Sequence, residues 1–167
     1  MVVLACKLSG FDVVYRSSAW EYKPVSKINP NKKTIGNIKT MIDRTSTYVS
    51  KCKPIIESGF IISDCGGKYV TVGDGDLLTE DSIIDFKVST RPPTSDHTLQ
   101  LLIYYIAGLH KDFEKFKNVK KLIIFNPRLN ISYTYNLHNL EDWIFNEVEK
   151  NIIGISPHKS FKEIPHC

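Results

Sequence analysis

The sequence predicts an α/β domain in which helices pack on a mixed β-sheet. Over residues 35–52 the apolar positions recur every three or four residues, which is typical of a helix that buries one stripe. From residue 60 onward the pattern changes to the short apolar runs of strands. An apolar helix over 99–109 separates a strand at 82–88 from a strand at 121–125. Such a crossover favours one parallel pair within an otherwise antiparallel sheet.

Three segments follow along the chain. Residues 1–33 are an N-terminal arm and connector, in which the aromatic and β-branched residues of 11–22 favour a short strand or hairpin. Residues 34–154 form the core, and residues 155–167 a loose tail. Within the core we expect a helix over 35–52, then a hairpin over 60–72 whose second strand continues through Asp76, and a strand over 82–88. A helix over 99–109, strands over 121–125 and 131–135, and a helix over 140–150 follow.

Composition narrows the function classes. The 167 residues suffice for one domain, and the net charge of +4 is too small for a protein that coats DNA along its length. A nucleic-acid partner therefore requires a local basic patch.

The four cysteines form no C-x-x-C pattern, and the five histidines show no metal-ligand spacing. No apolar stretch approaches the roughly 20 residues that span a bilayer, so we expect a soluble, cytoplasmic protein without a membrane partner.

A carboxylate and an ammonium group stand two residues apart on a strand that is otherwise apolar. Side chains alternate along a strand, so Asp85 and Lys87 project on one side. We expect the alternate residues Ile84, Phe86 and Val88 to point into the core. Charged groups in such a strand are costly unless they have a use, although a surface ion pair is the usual meaning of an isolated Asp-x-Lys triplet.

A second aspartate lies one strand earlier. Asp76 is joined to Asp85 through the tight turn at residues 79–81, which brings the two carboxylates together across the ladder. Two close anions attract a divalent cation, and oxygen ligands favour Mg²⁺ or Mn²⁺. The backbone carbonyl of Phe86 is a further candidate ligand, and Lys87 is placed to act on a nucleophile and a phosphate. Asp74 competes with Asp76 for the metal role.

Three short motifs together resemble a known family. They are Gly75-Asp76-Leu77-Leu78, the run Ile83-Ile84-Asp85-Phe86-Lys87, and Gln100 with Tyr104 on the helix that follows. This combination resembles the RecB-like branch of the PD-(D/E)XK nucleases, whose relatives include lambda-type exonucleases. The resemblance implies a restriction-endonuclease-like core, a divalent metal and DNA as substrate. The apolar pair after Asp76 fits the family pattern and favours Asp76 over Asp74.

The resemblance also implies roles for residues outside the central triad. Gln100 would act beside the metal site, and Tyr104 would reach toward DNA unless it is a core aromatic residue. Family members take a further acid from the region before the sheet. Here Glu57 is the preferred candidate as a metal ligand and Asp43 is the alternative. Some members hold an iron-sulphur cluster through clustered cysteines. This chain lacks that clustering, so we expect no iron-sulphur cluster.

The sequence therefore favours a Mg²⁺-dependent deoxyribonuclease, exonuclease or flap-type, acting in recombination, repair or phage DNA processing. Arg91 and Arg128, in turns after predicted strands, are candidate phosphate contacts, and ordinary solvated turns are the alternative. The competing hypothesis is a nuclease-like module that binds DNA or a protein through an incomplete site. The sequence leaves open whether the chain forms a homo-oligomer. It also leaves open whether a partner protein contributes to DNA binding.

Overall fold

The computed structural model describes residues 1–16, 20, 22–52 and 54–155. The chain divides into two compact units, Met1–Ser50 and Lys51–Cys167. The division lies after Ser50, whereas the sequence suggested a boundary between residues 33 and 34. The predicted helix over 35–52 thus belongs mainly to the first unit. Apart from Ile155, the predicted tail over 155–167 lies outside the described residues.

The described residues of the first unit are mainly helical. Helix α1 (Val2–Arg16) is followed by a short 3₁₀ turn (Val25–Lys27) and helix α2 (Lys32–Val49). The predicted strand or hairpin over 11–22 is wrong for residues 11–16, which continue α1. Residues 17–19 and 21 lie outside the described residues. β-Branched and aromatic residues are only weakly disfavoured in helices, so their presence did not decide the structure.

Helix α2 confirms the predicted helical stripe. Ile35, Ile38 and Val49 are half-buried along one side, while Ile42 is exposed. The Asn31 side chain accepts a hydrogen bond from the Thr34 N–H group at 2.8 Å, which caps the first turn. Of the helices in the described part of the chain, none combines the length and apolar character needed to cross a membrane.

The second unit confirms the predicted mixed sheet with helices. Strands β1 and β2 are antiparallel, as are β2 and β3 and also β4 and β5, whereas β3 and β4 are parallel. The spatial order of the strands equals their order along the chain. The elements are β1 (Ile55–Ser63), β2 (Val72–Thr79), β3 (Ser82–Phe86), α3 (Ser95–Lys111), α4 (Phe113–Phe116), β4 (Lys121–Asn126), β5 (Ile131–Asn136) and α5 (Asp142–Glu147), which continues as a π-helical segment (Val148–Ile153).

Strand β3 places Asp85 on a face that also carries core side chains. Ile83 lies beside Leu122 of β4, and Asp85 lies beside Ile124. Ile83, Leu122 and Ile124 belong to the main hydrophobic core, to which α3 also contributes. Because side chains alternate along a strand, Asp85 shares the face of Ile83. The site is therefore built at the margin of the main core.

The expected core face of β3 needs correction. Ile84 is fully buried, but it lies on the opposite face and is not part of the main core cluster. Phe86 is half-buried, and its ring packs edge-on against Phe125 at a centroid distance of 6.2 Å. Val88 is 59% exposed, so the prediction that it points into the core is wrong. The reason is that β3 ends at Phe86, after which strand alternation no longer applies.

Two glycines of β2 let aromatic rings approach the backbone. A Cβ atom on Gly75 would lie 1.9 Å from Cζ of Phe60, and one on Gly73 would lie 2.7 Å from Cε1 of Tyr104. The rings of Phe60 and Tyr104 meet edge to face with centroids 6.1 Å apart. These contacts confirm the close approach that glycines inside a strand indicate. They also bring α3 close to β2.

Replacing Gly75 with alanine is expected to destabilise the protein by about 1–3 kcal/mol, because the new methyl group overlaps the buried ring of Phe60. Urea unfolding measures the change. Gly36→Ala is the control, since open space surrounds Gly36 in α2 and the substitution is expected to be neutral or stabilising by up to about 1 kcal/mol. Equal unfolding midpoints for Gly75→Ala and the wild type would contradict this packing.

Candidate active site

Strands β2 and β3 stop pairing at Asp76. The last residue pair of their ladder is Leu77 with Ile84. Beyond that pair, Oδ2 of Asp76 accepts a hydrogen bond from the Phe86 N–H group at 2.7 Å. A side-chain carboxylate thus replaces the backbone acceptor that a continued ladder would supply. Asp76 is exposed, so its second oxygen, Oδ1, can meet a ligand from solvent.

The Phe86 N–H group faces Asp76, on the side of β3 away from β4. On the other side of β3 the Lys87 N–H group donates to the Phe125 carbonyl of β4 at 3.1 Å. The Phe86 N–H group points the opposite way, to Asp76. In an extended strand the N–H and C=O groups of one residue point to the same side. We therefore expect the Phe86 carbonyl to face the Asp76 side, and its use as a metal ligand stays a prediction.

The carboxylate of Asp85 is buried beside one cation. Its exposure is 4%, and Lys87 Nζ lies 3.1 Å from Oδ1 and 2.9 Å from Oδ2. Oδ2 is buried and accepts no well-aligned hydrogen bond within the described residues. Burial raises the pKa of Asp85, Lys87 opposes that shift, and the charge of Asp76 adds to it. An under-satisfied buried oxygen close to a second carboxylate fits the donor chemistry of a divalent-cation site.

Lys87 is held between two elements. Its Nζ group donates to Oε1 of Gln100 on α3 at 3.0 Å as well as to Asp85. Lysine only donates, so this bond fixes the orientation of the Gln100 amide, whose Nε2 then donates to the Tyr104 hydroxyl at 2.8 Å. Gln100 and Tyr104 are four residues apart on one face of the helix. An ammonium group has three N–H donors, and the hydrogen bonds of Lys87 to described residues use two of them, on Asp85 and Gln100. One donor is thus left in this part of the chain for a further acceptor.

The Tyr104 ring is a core residue with its hydroxyl at the site. The residue is 7% exposed, and burial raises the pKa of its hydroxyl. The carboxylates of Asp85, Asp74 and Asp76 raise that pKa further, so all three acids lie within electrostatic reach of the hydroxyl. The hydroxyl accepts the hydrogen bond from Gln100. A direct contact of Tyr104 with DNA stays a prediction.

The two candidates for a further acid lie on different elements. Glu57 is on β1, and its carboxylate forms an ion pair with Lys115 of α4. Asp43 is an exposed residue of α2 in the first unit. Within the described ranges, no three His, Cys, Asp or Glu side chains are grouped so as to hold a metal ion. Asp74, on the same strand as Asp76, is the additional acid whose charge reaches this site.

His97 is a site neighbour that the sequence reasoning missed. It was considered only for metal-ligand spacing, whereas it lies in the first turn of α3, three residues before Gln100. Its Nδ1 atom accepts a hydrogen bond from the Thr94 N–H group at 3.0 Å. A positive charge on His97 lowers the pKa of Asp85. The pattern Thr94-x-x-His97 at the start of an apolar helix was the available signal.

The two arginines predicted to contact phosphate lie on neighbouring loops. Arg91 follows β3, and Arg128 lies in the turn between β4 and β5. Both are exposed. Because β3 and β4 are parallel neighbours, the loops leaving their carboxyl ends start from the same edge of the sheet. That edge also carries Lys87, directly after β3.

A cavity of about 550 Å³ lies away from these charged groups. It is bounded by α3, the β4–β5 hairpin, α5 and the loop containing Pro92 and Pro93, and its walls are mainly apolar. None of Asp76, Asp85 and Lys87 lines it. We place the candidate active site at the charged groups, because a large apolar cavity supplies no catalytic or metal-binding chemistry.

Comparisons with protein-family models, with curated proteins and with solved structures found no match for this chain. The motifs and the site geometry are therefore the basis for any functional conclusion. The geometry brings together Asp76, Asp85, Lys87 and Gln100, with Tyr104 behind them.

Mg²⁺ is expected to stabilise the folded protein, because a cation that binds only the folded state adds about 2.7 kcal/mol at 100 times its Kd. Thermal unfolding with and without Mg²⁺ measures this shift. The shift should disappear in Asp76→Asn and in Asp85→Asn and persist in Asp74→Asn. If Asp74→Asn abolishes it and Asp76→Asn does not, Asp74 is the ligand.

Proposed function

We propose that this protein is a metal-dependent deoxyribonuclease with a restriction-endonuclease-like core of the RecB-like PD-(D/E)XK type. The observation that carries the proposal is the Lys87 ammonium group, held between Asp85 and Gln100. Asp76 lies at the opening of the adjacent strand pair. A surface ion pair does not account for this arrangement, since Asp85 is buried and Lys87 is additionally held from α3.

The donor groups of the site fit Mg²⁺ or Mn²⁺. Asp76, Asp85 and the Phe86 carbonyl supply oxygen atoms, and water completes the coordination that Mg²⁺ usually keeps. When bound, the ion supplies polarisation of a phosphoryl oxygen and a lowered pKa of bound water. Asp76 serves a structural purpose as well, because its Oδ2 holds the Phe86 N–H group where the ladder ends.

Lys87 supplies the electrostatic part of the chemistry. Its remaining N–H donor can meet negative charge that develops on the phosphate during hydrolysis. Asp85 and Gln100 hold the ammonium group in position, so it does not have to reorganise during the reaction. The Tyr104 hydroxyl fixes the Gln100 amide from behind. Gln100 and Tyr104 thus support the reaction through Lys87.

DNA is the proposed substrate, bound through its backbone. Arg91 and Arg128 lie on loops at the sheet edge that carries Lys87, where guanidinium groups can contact phosphates on both sides of the cut. Contacts to phosphates position a nucleic acid without reading its sequence. This suits an exonuclease or flap nuclease in recombination, repair or phage DNA processing better than a sequence-specific enzyme.

A second candidate function is DNA binding without cleavage. The observation that favours it is the ion pair of Glu57 with Lys115, which engages the acid expected to complete the site. In the described part of the chain no other group of three acids or metal-ligating side chains replaces it. Under this alternative Lys87 and the loop arginines would bind phosphate while hydrolysis does not occur.

Lys87→Ala is expected to lower kcat for DNA cleavage by about 10²–10³-fold, since a preorganised donor to the transition state is lost. Linear single- and double-stranded DNA are incubated with Mg²⁺, Mn²⁺ or EDTA, and the products are resolved on gels. Lys117→Ala is the matched control, because Lys117 forms a surface ion pair with Glu114 of α4 and is not among the groups of the candidate site. That variant should cleave at the wild-type rate.

Two outcomes would count against the nuclease proposal. Cleavage that persists in EDTA, or that Lys87→Ala retains in full, would show that the activity comes from elsewhere. DNA binding by the wild type with no cleavage in any of the metals would support the second candidate function.

A further inference from the structure

An asparagine is buried at the carboxyl end of β4. Asn126 is 2% exposed and is the last residue of β4, in which the preceding residues 122–125 are buried and apolar. Burying a side-chain amide is costly unless its donors and acceptor find partners. The partners of Asn126 therefore indicate why a polar residue occupies this position.

The Asn126 side chain joins two loops. Its Oδ1 atom accepts hydrogen bonds from the N–H groups of Arg128 at 3.0 Å and Leu129 at 3.3 Å, which shapes the turn between β4 and β5. Its Nδ2 atom donates to the Ser89 carbonyl at 2.8 Å, in the loop that follows β3. The amide oxygen therefore bonds to the β4–β5 turn, and the amide nitrogen bonds to the loop that follows β3.

Ser89 extends this connection to Arg91. The Ser89 hydroxyl accepts a hydrogen bond from the Arg91 N–H group at 2.9 Å. Asn126 is consequently one hydrogen bond from the backbone of Arg128 and two hydrogen bonds from the backbone of Arg91. The backbone positions from which both guanidinium groups extend are set by one buried amide.

The hydrogen bonds of Asn126 and Ser89 lie next to the segment that carries Lys87, directly after β3. Phe125, the residue before Asn126, accepts the hydrogen bond from the Lys87 N–H group at 3.1 Å. Ser89 comes two residues after Lys87 in the chain. The arginine loops are therefore anchored to the same backbone segment that positions Lys87.

We propose that Asn126 is a positioning residue that holds Arg91 and Arg128 as one clamp for the phosphates beside the scissile bond. This inference rests on the proposed nuclease function. A guanidinium group matches a phosphate in a bidentate geometry, and two of them at a fixed spacing can grip successive phosphates of one strand. The clamp acts on substrate binding, whereas Lys87 acts on the chemical step.

The substitution Asn126→Asp tests the donor group of the amide separately from its acceptor group. The variant keeps an oxygen that accepts from the Arg128 and Leu129 N–H groups, but a carboxylate cannot donate to the Ser89 carbonyl. KM for DNA is expected to rise about fivefold to tenfold, the worth of one such hydrogen bond, while kcat stays within about twofold. Equal losses in kcat and kcat/KM would overturn the positioning role.

Two controls exclude a general effect. Asn136→Asp makes the same charge change at the far end of the β4–β5 hairpin, and its KM should match the wild type. In an Arg91→Ala background, Asn126→Asp should raise KM by less than about twofold, because residues that act through one another are not additive. The full fivefold to tenfold rise in that background would show that Asn126 does not act through Arg91.

Hydrogen exchange keeps this inference separate from the nuclease proposal. In Asn126→Asp the backbone amides of residues 88–91 should exchange faster, while those of residues 128–130 should not change. Unchanged exchange at 88–91 would overturn the inference even if the enzyme cuts DNA. If the wild type cleaves no DNA, the nuclease proposal fails, and the clamp is judged by this exchange together with the DNA Kd from fluorescence anisotropy.

Ser89→Ala is a second variant in case Asn126→Asp does not fold. It removes the hydroxyl that accepts from the Arg91 N–H group without altering a fully buried residue. The same rise in KM with little change in kcat is expected. Wild-type KM for Ser89→Ala would contradict the connection through Ser89 to Arg91.

Discussion

A carboxylate buried at the margin of the hydrophobic core is the constraint on which the rest of the site depends. Asp85 shares a strand face with Ile83, and burial disfavours its charge. Lys87, two residues away on the same side, compensates that charge. The ammonium group also donates a hydrogen bond to Gln100 of α3. The position of α3 on the sheet is therefore coupled to the electrostatics of β3.

Strand β2 combines close packing against aromatic rings with an early end to its pairing with β3. Gly73 and Gly75 allow the rings of Tyr104 and Phe60 to lie against β2, which brings α3 near the strand. A few residues further, the β2–β3 ladder ends and Asp76 replaces a backbone acceptor. Helix α3 therefore packs against β2 close to the point where β2 and β3 stop pairing. Such a combination gives fixed side chains beside an accessible opening, as a catalytic site requires.

Much of the site followed from local spacing, and some did not. Asp85 and Lys87 are two residues apart, and Gln100 and Tyr104 are four apart on one helix. Both pairs are hydrogen-bonded, although Lys87 lies directly after the end of β3. The engagement of Glu57 by Lys115 depends on residues 58 positions apart, which no local pattern reveals. The end of β3 at Phe86, which exposes Val88, likewise depends on where its partner strands stop.

By itself the sequence determined the alternation of strands and helices, the mixed sheet, and the placing of Asp85 on β3 and of Gln100 on α3. Periodicity and short spacing encode these features directly. Only the tertiary structure decided that α1 is a helix, that Asp76 binds the Phe86 N–H group, and that Asn126 joins two loops. Each of these outcomes depends on competition between partners that are distant in sequence or between conformations of nearly equal local energy.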